Sequence, residues 1–123
     1  KLNHNTKIVD IRALQSLHQL QRLDLTETGI TDLTPVQNLK DLRVLILSHC
    51  RQLSDIAPLQ HLHRLEFVNL DDTAIADISP LQNLRNLQHL NATKTAVQDF
   101  RALQHLPRLK IRFDAAPQKN TPP

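Results

Sequence analysis

The sequence predicts an α/β solenoid: a right-handed superhelix of stacked units with a parallel concave β-sheet and short 3₁₀ or helical turns on the convex side. Three observations predict it. An apolar residue two positions before an Asp recurs at Ile8/Asp10, Ile30/Asp32, Leu53/Asp55, Ile75/Asp77 and Val97/Asp99, and the Asp residues lie 22, 23, 22 and 22 positions apart. Two further columns keep the same beat, one of Gln15, Gln37, Gln60, Gln82 and Gln104 and one of Leu20, Leu42, Leu65, Leu87 and Leu109. The core is almost all Leu, with three Phe and no Met, Trp or Tyr among 123 residues, so one packing slot is filled again and again. Units this short cannot bury an apolar face alone, and each needs a neighbour on either side.

The strand comes first in each unit. LQRLDLTET (20–28), LRVLILSHC (42–50), LEFVNLDDT (65–73) and LQHLNATKT (87–95) share the form LxxLxLxx(T/C). Alternation with period two marks a strand with one buried face. Leu23/Leu25, Leu45/Leu47, Val68/Leu70 and Leu90/Ala92 are expected to point inward. Strands in the same phase of each unit stack in parallel about 4.8 Å apart. The last strand, Leu109 to Phe113, loses one residue of register, which turns Ile111 and Phe113 inward.

The return half reads xIxDLxPLQxL. Pro35 to Leu39, Pro58 to Leu62 and Pro80 to Leu84 are expected as single helical or 3₁₀ turns, with Thr34 and Ser79 capping them ahead of a Pro at the first helical position. The repeated Asp is expected to cap backbone N–H groups of its own turn, because a metal site needs converging ligands that one ring position does not supply. Thr28, Cys50, Thr73 and Thr95 form a column of buried side chains that satisfy loop backbone. The one 23-residue unit carries its extra residue at Cys50-Arg51-Gln52-Leu53, in a turn, where loop closure depends weakly on length.

This repeat resembles the leucine-rich repeat family, in the short 22-residue style of internalin-like and phosphatase-regulator-like proteins. The resemblance spans residues 8 to about 114, and Thr or Cys replaces the family's usual Asn at the end of the motif. It implies a protein-binding module of a bacterial surface, effector or regulatory protein, and it does not identify a partner.

Three segments are expected: a lead-in over 1–7 that is truncated or covered, the repeat domain over 8–114, and a Pro-rich disordered tail over 115–123. The start of the array is expected to expose a sheet edge and the core beside Leu14 and Leu17, a surface suited to self-association. The chain opens on Lys1 rather than Met, so a processed, excised or truncated protein is expected, and cytoplasmic and exported locations both stay open. No apolar run approaches the ~18 residues of a membrane span.

Chemistry-bearing motifs are lacking. Gly29 is the single glycine, so there is no Gly-rich phosphate loop, and Cys50, the single cysteine, has no His base in register. His61 and His63 with His105 or His18 are the one conceivable metal cluster, at spacing that no common metal motif uses. The expectation is a non-enzyme with neither cofactor nor metal. A formal charge of +3 with few aromatics gives little support to nucleic acid as a ligand.

Binding residues are sought where the fold does not need them. Outward side chains of the strands form four columns: Arg22, Val44, Phe67, His89; Asp24, Ile46, Asn69, Asn91; Thr26, Ser48, Asp71, Thr93; and Glu27, His49, Asp72, Lys94. Val44, Ile46 and Phe67 are expected as exposed apolar neighbours, a composition that marks interaction sites. Arg22, Asn69, Asp71 and His89 form their polar surround. Asp24, Glu27, Asp71 and Asp72 outweigh Arg22 and Lys94, a formal −2. The expected partner is therefore a protein or peptide with an apolar plug flanked by basic groups. The alternative is a scaffold that assembles through repeat ends or its convex face.

Overall fold

The structure, a computed structural model, describes residues 10–114. Five short strands, β1 (Arg22–Asp24), β2 (Val44–Ile46), β3 (Phe67–Asn69), β4 (His89–Ala92) and β5 (Lys110–Phe113), form one parallel sheet in chain order. A 3₁₀ turn precedes each strand, at Arg12–Ser16, Thr34–Val36, Ala57–Leu59, Ser79–Leu81 and Arg101–Leu103. The sequence named only the three turns that contain Pro, and each begins one residue before it.

The sheet register follows the columns read from the sequence. Leu23 pairs with Leu45, Leu45 with Val68, Val68 with Leu90 and Leu90 with Ile111. The one-residue slip at the last strand is present, since His89 pairs with Lys110 and Ala92 with Phe113. Ile111 thus keeps the inward phase and is partly buried. Phe113 shares that phase but stays 49% exposed, because among the described residues no further unit covers it. Its ring lies 4.8 Å from that of Phe100.

The core runs between the two walls. Leu25, Leu45, Leu47, Val68, Leu70 and Leu90 come from the strand wall, and Leu39, Leu62 and Leu84 return from the turns, all at 0% exposure. Burying a Leu contributes roughly 1.5–3 kcal/mol, and repetition of that term is what orders units too short to fold singly. In the first described unit Leu14 is partly buried and Leu17 is 46% exposed. The remaining expectations for the lead-in and the tail lie outside the described residues.

The turns are held by the repeated Asp. Oδ1 of Asp10, Asp32, Asp55, Asp77 and Asp99 accepts the backbone N–H two residues on, at 3.0, 2.9, 2.8, 2.9 and 2.9 Å. Thr34 and Ser79 do not cap as expected. The residues ahead of those turns are Leu33 and Ile78, whose apolar side chains cannot cap, and the hydroxyls of Thr34 and Ser79 hydrogen-bond back to Asp32 and Asp77 instead. In the Thr/Cys column, Oγ1 of Thr73 and Thr95 donates to the carbonyls of Leu70 and Ala92. Cys50 instead donates its thiol to the carbonyl of Leu25 in the preceding unit. The Gln column is exposed throughout.

Candidate functional site

The outward face of the sheet is built from alternate residues of three- and four-residue strands, so its chemistry is set by few side chains. Arg22, Val44, Phe67, His89 and Lys110 are successive partners in one row. Asp24, Ile46, Asn69, Asn91 and Arg112 form the next. Val44, Ile46 and Phe67 meet at β2 and β3, with Val44 opposite Phe67 and Ile46 opposite Asn69.

These three apolar side chains are half-buried, not fully exposed as the sequence suggested. Their own strands, β2 and β3, have a neighbouring strand on both sides, and the Phe67 ring packs against His89 with centroids 6.4 Å apart. They form a shallow apolar centre in a polar face. Asp24 departs further from expectation. It is only 9% exposed, because its Oδ1 accepts from both the backbone N–H and the hydroxyl of Thr26. Arg22 and His89 are exposed, and Asn69 and Asp71 are half-buried.

The strand exits make a rim beside this face. Glu27, His49, Asp72 and Lys94 all take left-handed backbone conformations, with φ of 63°, 63°, 60° and 55°. For a non-glycine residue this costs roughly 1–2 kcal/mol. The turn is held because its N–H continues the parallel ladder beyond the strands. Glu27 donates to Ser48 O, His49 to Asp71 O and Asp72 to Thr93 O, at 2.9, 2.8 and 2.8 Å. At the last step Lys94 N–H donates to the Asp114 carboxylate at 2.8 Å, so a side chain takes the place of the next carbonyl. The left-handed backbone of this column was not legible in the sequence, since neither Gly nor Asn occupies it.

Much of the acidity of the rim is engaged internally. Oδ2 of Asp72 accepts from His49 Nδ1 and from Arg51 Nε, both at 2.8 Å, and these bonds hold its pKa below the usual carboxylate value. Asp71 Oδ1 accepts the Thr93 N–H at 2.8 Å. By contrast, no ion pair among the described residues engages Arg22, Lys110 or Arg112. With Gln88, His89 and Arg108, Lys110 lines a shallow hollow at the end of the face. Sequence reasoning missed Lys110 and Arg112 because the four outward columns stopped at β4. Carried through the one-residue slip, they would have included both.

A second polar hollow, outside the candidate face, is lined by Gln21, Asp41, Arg43, Arg64, Glu66 and Asn86. It is a brace between units, since Arg43 pairs with Glu66 at 2.9 Å and Arg64 with Asp41 at 3.0 Å. Such exposed pairs contribute at most about 1 kcal/mol each. The conceivable His cluster does not converge. The rings of His61 and His63 are 6.2 Å apart, His105 Nε2 lies 2.8 Å from the Gln82 carbonyl, and no metal-holding group of three His, Cys, Asp or Glu occurs among the described residues. No helix among those residues is long and apolar enough to cross a membrane.

Stacked units of this period, each a short parallel strand with a 3₁₀ return, define a leucine-rich repeat protein. A family signature described as "Leucine Rich repeats (2 copies)" matches residues 40–83. The domain is internalin-like: internalin C2 of Listeria monocytogenes is 33% identical over 88% of this chain and 48% of its own, with a TM-score of 0.83. The internalin InlF of the same organism is 34% identical over 87% of this chain and 31% of its own, at 0.82. A leucine-rich repeat protein of Leptospira interrogans is 25% identical over 89% and 29%, at 0.77. The chain therefore spans less than half the length of these bacterial proteins. No curated protein gives a significant match to the sequence. The leucine-rich repeat is a scaffold that commonly mediates protein binding and is typically non-catalytic.

Proposed function

We propose that this domain recognises a protein or peptide partner through the outward face of its sheet. Val44, Ile46 and Phe67 receive an apolar side chain of the partner, and Arg22, Asn69, Asp71 and His89 provide the polar surround. Basic groups of the partner meet the remaining carboxylate oxygens of Asp71 and Asp72 at the rim. The observation that carries this reading is the meeting of three half-buried apolar residues in register on an otherwise polar face. A water-facing sheet has no need of them, and apolar centres with polar rims characterise interfaces. Five strands at about 4.8 Å span only ~20 Å, so a standard interface of ~800 Å² per partner needs the rim as well as the strands.

The test is affinity capture with the wild-type chain beside a Phe67→Ala/Ile46→Ala variant, with retained proteins identified by mass spectrometry. A protein held by the wild type and lost with the variant is the expected result. Equal retention by both would remove the face from consideration.

A second reading, assembly through repeat ends, rests on the exposed Leu17 at the first unit. Sedimentation separates the two, because assembly requires stable oligomers at micromolar concentration and recognition through the sheet face does not.

A further inference from the structure

The apolar centre and the two cations of β5, which no ion pair among the described residues engages, are held at a fixed spacing by the sheet, and that spacing constrains the ligand. Phe67 and Lys110 sit in one row, separated only by His89. Two strand intervals place them about 10 Å apart across the sheet. Arg112 extends the neighbouring row beyond Asn69 and Asn91, and Arg108 stands beside Lys110 at the hollow. At the opposite end one cation, Arg22, stands two residues from the carboxylate of Asp24. At β5 three cations, Arg108, Lys110 and Arg112, accompany one carboxylate, Asp114, which already accepts the Lys94 N–H, so positive charge is concentrated toward β5.

We infer that the partner is a polypeptide segment with an acidic side chain about 10 Å from its apolar plug, seated on Lys110 and Arg112 while the plug rests on Val44, Ile46 and Phe67. This rests on the reading of the sheet face given above and adds a direction to it: the segment crosses the strands with its acidic end over β5. An extended chain covers that distance in about three residues, and a helix in about seven. Charge of opposite sign fixes register and suppresses misplaced partners more than it adds raw affinity, which suits a face too small to choose by area. A nucleic acid is the less favoured ligand. Phe67 and His89, packed on each other, are the two rings of the five-residue row, which offers no longer succession of stacking platforms for bases.

The probe is a phage-displayed library of random dodecapeptides, selected against the wild type, Phe67→Ala and Lys110→Glu/Arg112→Glu. The two cations are exposed, so the reversal leaves the core intact, which circular dichroism checks. The wild type is expected to enrich peptides with an aromatic or aliphatic residue and an Asp or Glu about three positions away. The charge reversal is expected to abolish the acidic enrichment, or replace it by Lys and Arg, while the apolar enrichment persists. Apolar enrichment without an acidic bias, or a bias unchanged by the reversal, overturns the inference and leaves the binding face standing. Failure to enrich any sequence that depends on Phe67 overturns the binding face and the inference with it. A fluorescent single-stranded oligonucleotide is titrated alongside, and binding at ~150 mM salt that the reversal abolishes would assign the cations to phosphate instead.

Discussion

The thiol of Cys50 donates to the carbonyl oxygen of Leu25 at 3.1 Å, joining two consecutive units through their interior. Thr28 Oγ1 lies 3.5 Å from the same sulfur, and Cys50 is fully buried. Removing the donor leaves a buried acceptor short of a partner, which costs roughly 1–3 kcal/mol. Cys50→Ala is expected to lower stability by that amount in urea unfolding, plus a small packing loss, while Cys50→Thr, the residue of the equivalent column positions, is expected to lose less. A Cys50→Ala protein as stable as the wild type would show that the bond contributes nothing. The buried thiol is also expected to resist labelling until the chain unfolds.

Phe67 is the largest side chain of the apolar centre. Its replacement by Ala is expected to weaken binding of a captured partner by about 2 kcal/mol, roughly thirtyfold. Its half-buried position makes the accompanying loss of stability smaller than for a core residue. Titration of the partner by calorimetry checks the first expectation and thermal unfolding the second.

Leu45 is fully buried and paired on both sides, with Leu23 and Val68. Leu45→Ala is expected to cost about 2–5 kcal/mol, a large share of the total for a domain of this size. Urea denaturation followed by circular dichroism would expose a smaller effect, which would mean that the neighbouring units relax into the space.

Lys94 carries the left-handed backbone of the rim without being a glycine. Lys94→Gly is expected to stabilise the domain by up to about 1 kcal/mol, the reverse of glycine's usual effect within a strand. Lys94→Val is expected to destabilise it, because a β-branched residue fits that conformation worst. A lower melting temperature for Lys94→Gly would contradict the assignment.

The turn aspartates set the acid response. Asp10, Asp32, Asp77 and Asp99 all have their pKa lowered by hydrogen bonds two residues on. The Arg101 side chain, followed by its backbone N–H, takes Asp99 to about 2, whereas an Asp in an unfolded chain titrates near 3.9. A depressed folded value gives stability that is fully present above the unfolded pKa and lost as pH falls through the folded one. The urea midpoint is therefore expected to hold near neutrality and to decline between about pH 4 and pH 2. An unchanged midpoint at the bottom of that range would show that these caps do not matter.

Most of the fold was legible because it repeats. Leu23, Leu45, Val68 and Leu90 pair as their shared phase requires, and the early arrival of Ile111 in the last unit revealed the slip at β5. What stayed hidden depends on local bonding that periodicity does not carry. Thr34 and Ser79 look like caps in sequence, but the N–H groups they would accept go to backbone carbonyls, and their own N–H groups are taken by the Asp two residues earlier. Asp24 occupies an outward position and is nevertheless withdrawn by its bonds to Thr26. The apolar residues of the face were found, because alternation alone locates them. The cations at its end were missed, because Lys110 and Arg112 belong to the one strand that departs from the common spacing.

The strictly sequential order of the sheet has a mechanical corollary. Each strand pairs only with those of the adjoining units, so a pull on the two ends loads the contacts in series, like links of a chain, with no distant strand to share the force. Yielding would start at whichever junction is weakest and spread outward from it, one repeat at a time.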